Sequence, residues 1–130
     1  MTDDTFEEQF LHGLRLINEK EFFEAHDVLE ELWHEERGER RLFLQGMIQA
    51  AVGCYHLSNG NSTGAMSQYQ KSLEKLDRYE PDYMGIDLAN FRDGLRRCFE
   101  GAKLMAANKA EYEVDPSYFP AVELSGGTKL

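Results

Sequence analysis

The chain has 130 residues, 42% of them hydrophobic, and sets 24 acidic side chains against 14 basic ones for a formal net charge of -10. That size suits one domain with one core, expected over residues 1–124 with 125–130 as a frayed tail. The charge excludes the positive footprint that nucleic acid requires, and no apolar window approaches the roughly 20 residues that cross a membrane.

The opening MTDDTFEEQF is acidic and lacks an apolar signal core, so a cytoplasmic location is expected. Thr5 followed by Glu8 has capping-box spacing, and Phe6, Phe10, Leu14 and Ile17 recur at helical intervals, which predicts a first helix over 5–18. A short polar break, Asn18 to Glu21, leads to a second helix carrying FFEAHDVLEELW, expected to end at Gly38 in a left-handed cap. The short connection makes these helices antiparallel neighbours.

A third helix over 39–57 places Leu44, Ile48, Ala51 and Tyr55 on one face, with Gly46, Ala50 and Gly53 allowing close approach. SNGNST, residues 58–63, is the clearest turn, with Gly60 ending one helix and Asn61 or Ser62 capping the next. The fourth helix carries Ala65, Tyr69, Leu73 and Leu76 and stops before Pro81. Asp87 is a suitable N-cap for a fifth, with Leu88, Phe91, Leu95, Cys98, Ala102 and Met105 inward. Beyond Asn108, Pro116, Pro120, Tyr118, Phe119, Val122 and Leu124 predict an extended tail laid over the helices. No strand-type alternation is evident, so the expected class is all-α: a compact bundle of five helices in antiparallel hairpins with tetratricopeptide-like packing.

Chemistry-bearing residues gather at the second and third helices. His26 and Glu30, at i and i+4, lie one turn apart, and Gln45, Gln49 and His56 follow one another along the third helix. These five form the candidate polar seam, with Glu24, Asp27, Trp33 and Tyr55 at its edge. Three readings stand: an internal hydrogen-bond network, a pocket for a peptide or small ligand, and a metal or hydrolytic site using His26, Glu30 and His56. Glutamine is a poor metal ligand, and the Glu-x-x-His pairs of di-iron bundles are absent, so no metal or cofactor is assigned. Trp33 is expected to pack toward the third helix with its indole N–H on a carbonyl or glutamine oxygen. His34 is expected at the surface.

Arg37, Arg40 and Arg41 among Glu35, Glu36 and Glu39 read as a solvated ion-pair face. Cys54 and Cys98 lack metal or redox spacing and read as buried free thiols. No glycine-rich phosphate loop or strained serine elbow is present.

The segments NEKEFFEAHDVLEELW and RLFLQGMIQAAVGCYHLSNGNSTGA, with YEPDYMGIDL more loosely, resemble the domain of unknown function family 309 over about Phe6 to Ile86. Its acidic, histidine and tryptophan positions fall on Glu24, His26, Glu30 and Trp33, then on Gln45-Gly46, Gln49 and His56. Asp27 stands where the family usually has glutamate. The resemblance implies an all-helical fold and a recurrent polar seam without a reaction. A binding or scaffolding role toward a protein, peptide or small ligand is therefore expected, with a metal binder or metal-dependent hydrolase as the alternative.

Overall fold

The computed structural model describes residues 3–79, 81–108, 116–127 and 130. Five helices follow one another: α1 (Asp3–Asn18), α2 (Phe22–Glu35), α3 (Arg40–Ser58), α4 (Ser62–Leu76) and α5 (Leu88–Asn108). Each of the first three packs on its successor, and α4 packs on α5, so the expected all-α bundle of antiparallel hairpins is the observed architecture.

Phe6, Phe10, Leu14 and Ile17 of α1 and Phe22, Ala25, Leu29 and Leu32 of α2 are all buried in one apolar cluster. The α1–α2 turn is a Schellman closure around Lys20, whose φ is 64°. Its amide donates to the Ile17 carbonyl at 3.0 Å and the Glu21 amide to Leu16 at 2.9 Å. The same closure recurs at Gly60, φ 76°, where the Gly60 amide donates to Leu57 and the Asn61 amide to His56. Asn61 then caps α4, its side-chain oxygen accepting from the Gly64 amide at 2.9 Å.

Two expected helix ends differ. α1 already includes Asp3, so Thr5 lies inside it and not at its cap. α2 ends at Glu36 in extended backbone, and Gly38 is not left-handed. The α2 terminus is closed by side chains instead. Arg37 donates to the His34 carbonyl at 2.7 Å, and Arg41 donates to the carbonyls of Trp33 and Glu36. Of the arginines expected to form a solvated ion-pair face, Arg40 does pair with Glu36 at 2.9 Å, while Arg37 and Arg41 satisfy orphan carbonyls, as cations do well at a helix C-terminus.

α3 is the central helix, buried on nearly every side through Phe43, Leu44, Met47, Ile48, Ala50, Ala51, Cys54 and Leu57. Tyr55, placed on the same face as Leu44, Ile48 and Ala51 and at the edge of the seam, is exposed while those three are buried. At Gly53 an added Cβ would stand 2.8 Å from the Tyr69 ring, and at Gly46 it would stand 2.8 Å from Leu76 Cδ2. Those glycines let α4 lie close against α3, and the buried Ser72 hydroxyl donates to the Gly46 carbonyl at 2.7 Å across the contact.

A short hairpin, absent from the sequence expectations, separates α4 from α5. β1 (Asp82–Tyr83) pairs antiparallel with β2 (Ile86–Asp87) through a two-residue turn in which Met84 and Gly85 both have positive φ. Two-residue strands are too short to leave an alternating signature. Asp87 caps α5 as expected, accepting from the Asn90 amide at 3.1 Å. In the tail, Pro116–Tyr118 form a 3-10 turn, Val122 is buried and Tyr118 is exposed. Asn18 clamps Val122 in both directions, donating to its carbonyl at 2.9 Å and accepting from its amide at 2.7 Å. Ile86 bridges Leu124, and the Ser125 amide reaches the Gly85 carbonyl at 2.9 Å, which fixes the start of the segment expected to fray. Residues 128 and 129 of that segment lie outside the described residues. No helix among the described residues is long and apolar enough to cross a membrane.

Candidate functional site

The sequence places Phe23, His26, Asp27, Glu30 and His34 on one stripe of α2, at successive i+3 and i+4 steps. Phe22, Ala25, Leu29 and Leu32 hold the adjoining face of the helix in the core. The stripe is therefore presented outward by a firmly anchored backbone.

His26 sits between two carboxylates. Its Nε2 lies 2.7 Å from Glu30 Oε2 and its Nδ1 lies 3.2 Å from Asp27 Oδ1. Glu30 also reaches His34 Nε2 at 3.5 Å. The ring is three-quarters buried, while Asp27 and His34 are open to solvent. With a carboxylate oxygen close to each ring nitrogen, the imidazole is flanked on both edges.

The remaining seam residues divide from this pair. Among the described residues, no hydrogen bond or ion pair joins His26 or Glu30 to Gln45, Gln49 or His56. His56 Nδ1 instead faces the Asn61 side-chain amide at 3.4 Å, within the α3–α4 turn. Gln49 Oε1 is buried with no hydrogen-bond partner, and so is the Trp33 indole nitrogen, against the expectation that it would find an oxygen. Trp33 is held through its ring: the Arg41 guanidinium lies 4.0 Å from the ring centroid while bonding the Trp33 carbonyl. Glu24 is exposed on α2. No group of three or more histidine, cysteine or acidic side chains among the described residues is placed to hold a metal ion.

What the edge does contain is an aromatic pair. Phe23 faces Tyr55 of α3 at 5.5 Å between centroids, and Phe23 is also 5.9 Å from the His26 ring. Both large rings are exposed, Phe23 at 56% and Tyr55 at 38%. The sequence reading passed over Phe23. The signal was the doublet itself, because adjacent helix positions stand about 100° apart and Phe22 had already taken the buried direction.

Every candidate residue, from Glu24 to His56, falls inside one family-model match. Residues 10–68 match the domain of unknown function DUF309. The match stops short of the looser YEPDYMGIDL likeness, which DUF309 does not cover here. Among curated relatives, the uncharacterized protein YpuF of Bacillus subtilis is 28% identical over 94 residues, 70% of this chain and 54% of YpuF. An uncharacterized protein of Aquifex aeolicus is 26% identical over 76 residues, 58% of this chain and 23% of that protein. The aligned part of the chain thus spans about half of one relative and a quarter of the other.

Proposed function

We propose that this chain is a cytoplasmic helical docking module that receives a protein or peptide partner along the edge between α2 and α3. Phe23, His26, Glu30 and Tyr55 are its contact residues, with Asp27 and His34 at the rim. The observation that carries this reading is the exposed ring pair, Phe23 against Tyr55 at 5.5 Å. Scattered apolar residues on a surface need no explanation. Two facing aromatic rings beside a histidine pinned by two carboxylates form a small, rigid, amphipathic platform of the kind that anchors interfaces.

The rest of the molecule supports the reading. The net charge of -10 disfavours a phosphate-backbone partner. Cys54 and Cys98 are buried and unpaired, which suits a reducing compartment.

Equilibrium denaturation of a Phe23→Ser, Tyr55→Ser double variant tests the assignment. Rings kept for a partner leave stability within about 1 kcal/mol of the parent. A loss of about 3 kcal/mol or more, the scale of an emptied core site, would give the rings to the fold and remove the docking reading.

A further inference from the structure

We infer that the occupant of this edge is a basic segment of another protein, whose lysine or arginine side chains seat against the Phe23 and Tyr55 rings. The inference rests on the docking reading above and adds the chemistry of the partner.

Three of the chain's own rings, Phe6 buried and Trp33 and Phe99 partly buried, each carry a cation of the chain. Arg40 lies 3.9 Å from the Phe6 centroid, Arg41 4.0 Å from Trp33, and Lys103 4.5 Å from Phe99. Among the described residues, neither Phe23 nor Tyr55 has a cation of this chain over its face. Both rings are exposed, and an aromatic face attracts a cation.

Charge around the pair points the same way. Residues 19–31 hold six carboxylates against the single Lys20, so half of the chain's net charge lies on thirteen residues. Asp27 and Glu30 lie against His26, whose ring neighbours Phe23, and Glu24 and Asp27 are exposed, whereas Glu31 turns to Gln9 of α1. Across the pair, residues 52–61 contain no lysine or arginine to offset them, and α3 ends at Ser58, so its negative dipole end lies within a turn of Tyr55. An acidic partner is repelled here, whereas a basic segment gains ring stacking, carboxylate pairing and long-range attraction together.

Amide-shift titration of the intact chain tests this with three synthetic peptides that differ only in carrying lysine and arginine, glutamine, or glutamate at the same positions. The basic peptide is expected to shift the amides of Phe23, His26 and Tyr55 saturably. Phe23→Ser or Tyr55→Ser is expected to weaken it about two- to fivefold, Tyr55→Phe to leave it unchanged, and added salt to weaken it. Equal binding of the glutamine or glutamate peptide at those amides would overturn the basic-partner inference and leave the docking edge standing. Basic-peptide binding insensitive to both ring variants would overturn the inference, as would no binding by any of the three. The double variant's stability decides the docking reading separately.

Discussion

Glu36 accepts the Gly38 amide on Oε1 at 2.8 Å and meets Arg40 Nη2 with Oε2 at 2.9 Å. The Gly38 bond foremost, and then the Arg40 charge, outweigh partial desolvation and hold its carboxyl below the usual carboxylate range. A depressed folded pKa means stability that is present above the unfolded value near 4.5 and lost as pH falls through the folded one. Glu36→Gln is therefore expected to cost about 1 kcal/mol at pH 7 in urea denaturation and to match the parent at strongly acid pH. In the core, the Tyr69 hydroxyl donates to Cys54 Sγ at 3.2 Å. Burial pushes the Cys54 thiol far up and Cys98 up to about 11. Neither thiol is expected to react with a water-soluble disulfide reagent until denaturant is added, and labelling of the native chain would contradict that burial. At this scale the His26–Glu30 contact was legible, because i+4 spacing fixes it within one helix. The destination of His56 was not, because it depends on where the following turn sends Asn61.

The helices themselves were legible wherever apolar spacing persisted, and their ends were legible where glycine took the left-handed position. Gly60 met that rule. Lys20 occupies the same position at the end of α1, where no glycine announced it, while Gly38 did not adopt the expected conformation because side chains already close α2. Lys20→Gly is expected to stabilise the chain by about 1 kcal/mol by relieving the left-handed cost of a side chain, read from the thermal midpoint. Helix contacts allow a sharper comparison. Gly53→Ala drives a Cβ to 2.8 Å from the Tyr69 ring and is expected to cost about 1 to 3 kcal/mol, despite alanine's better helix propensity. Gly101 in α5 has nothing within 4 Å of an added Cβ, so Gly101→Ala is expected to gain about 0.5 to 1 kcal/mol. Equal effects at the two sites would show that α3 and α4 are not in close contact.

For the molecule as a whole, the core and the docking edge are separable. The core runs from Phe6 to Val122 and includes buried residues from all five helices, while Phe23 and Tyr55 stand outside it. Asn18 ties the tail to this core, and the 82–87 hairpin and tail pairing were invisible in the sequence because they rest on backbone bonds between distant segments. The separation is what makes the proposed role testable without disturbing the fold. The most direct measurement places a photo-reactive benzoylphenylalanine at position 23, or at the somewhat more exposed Leu104 as a control, and cross-links in extract of the cells that express the chain. The account predicts one defined partner at position 23, displaced by excess parent protein and not by excess Phe23→Ser, Tyr55→Ser protein. Adducts indistinguishable from those at position 104, or displaced equally by the double variant, would contradict it.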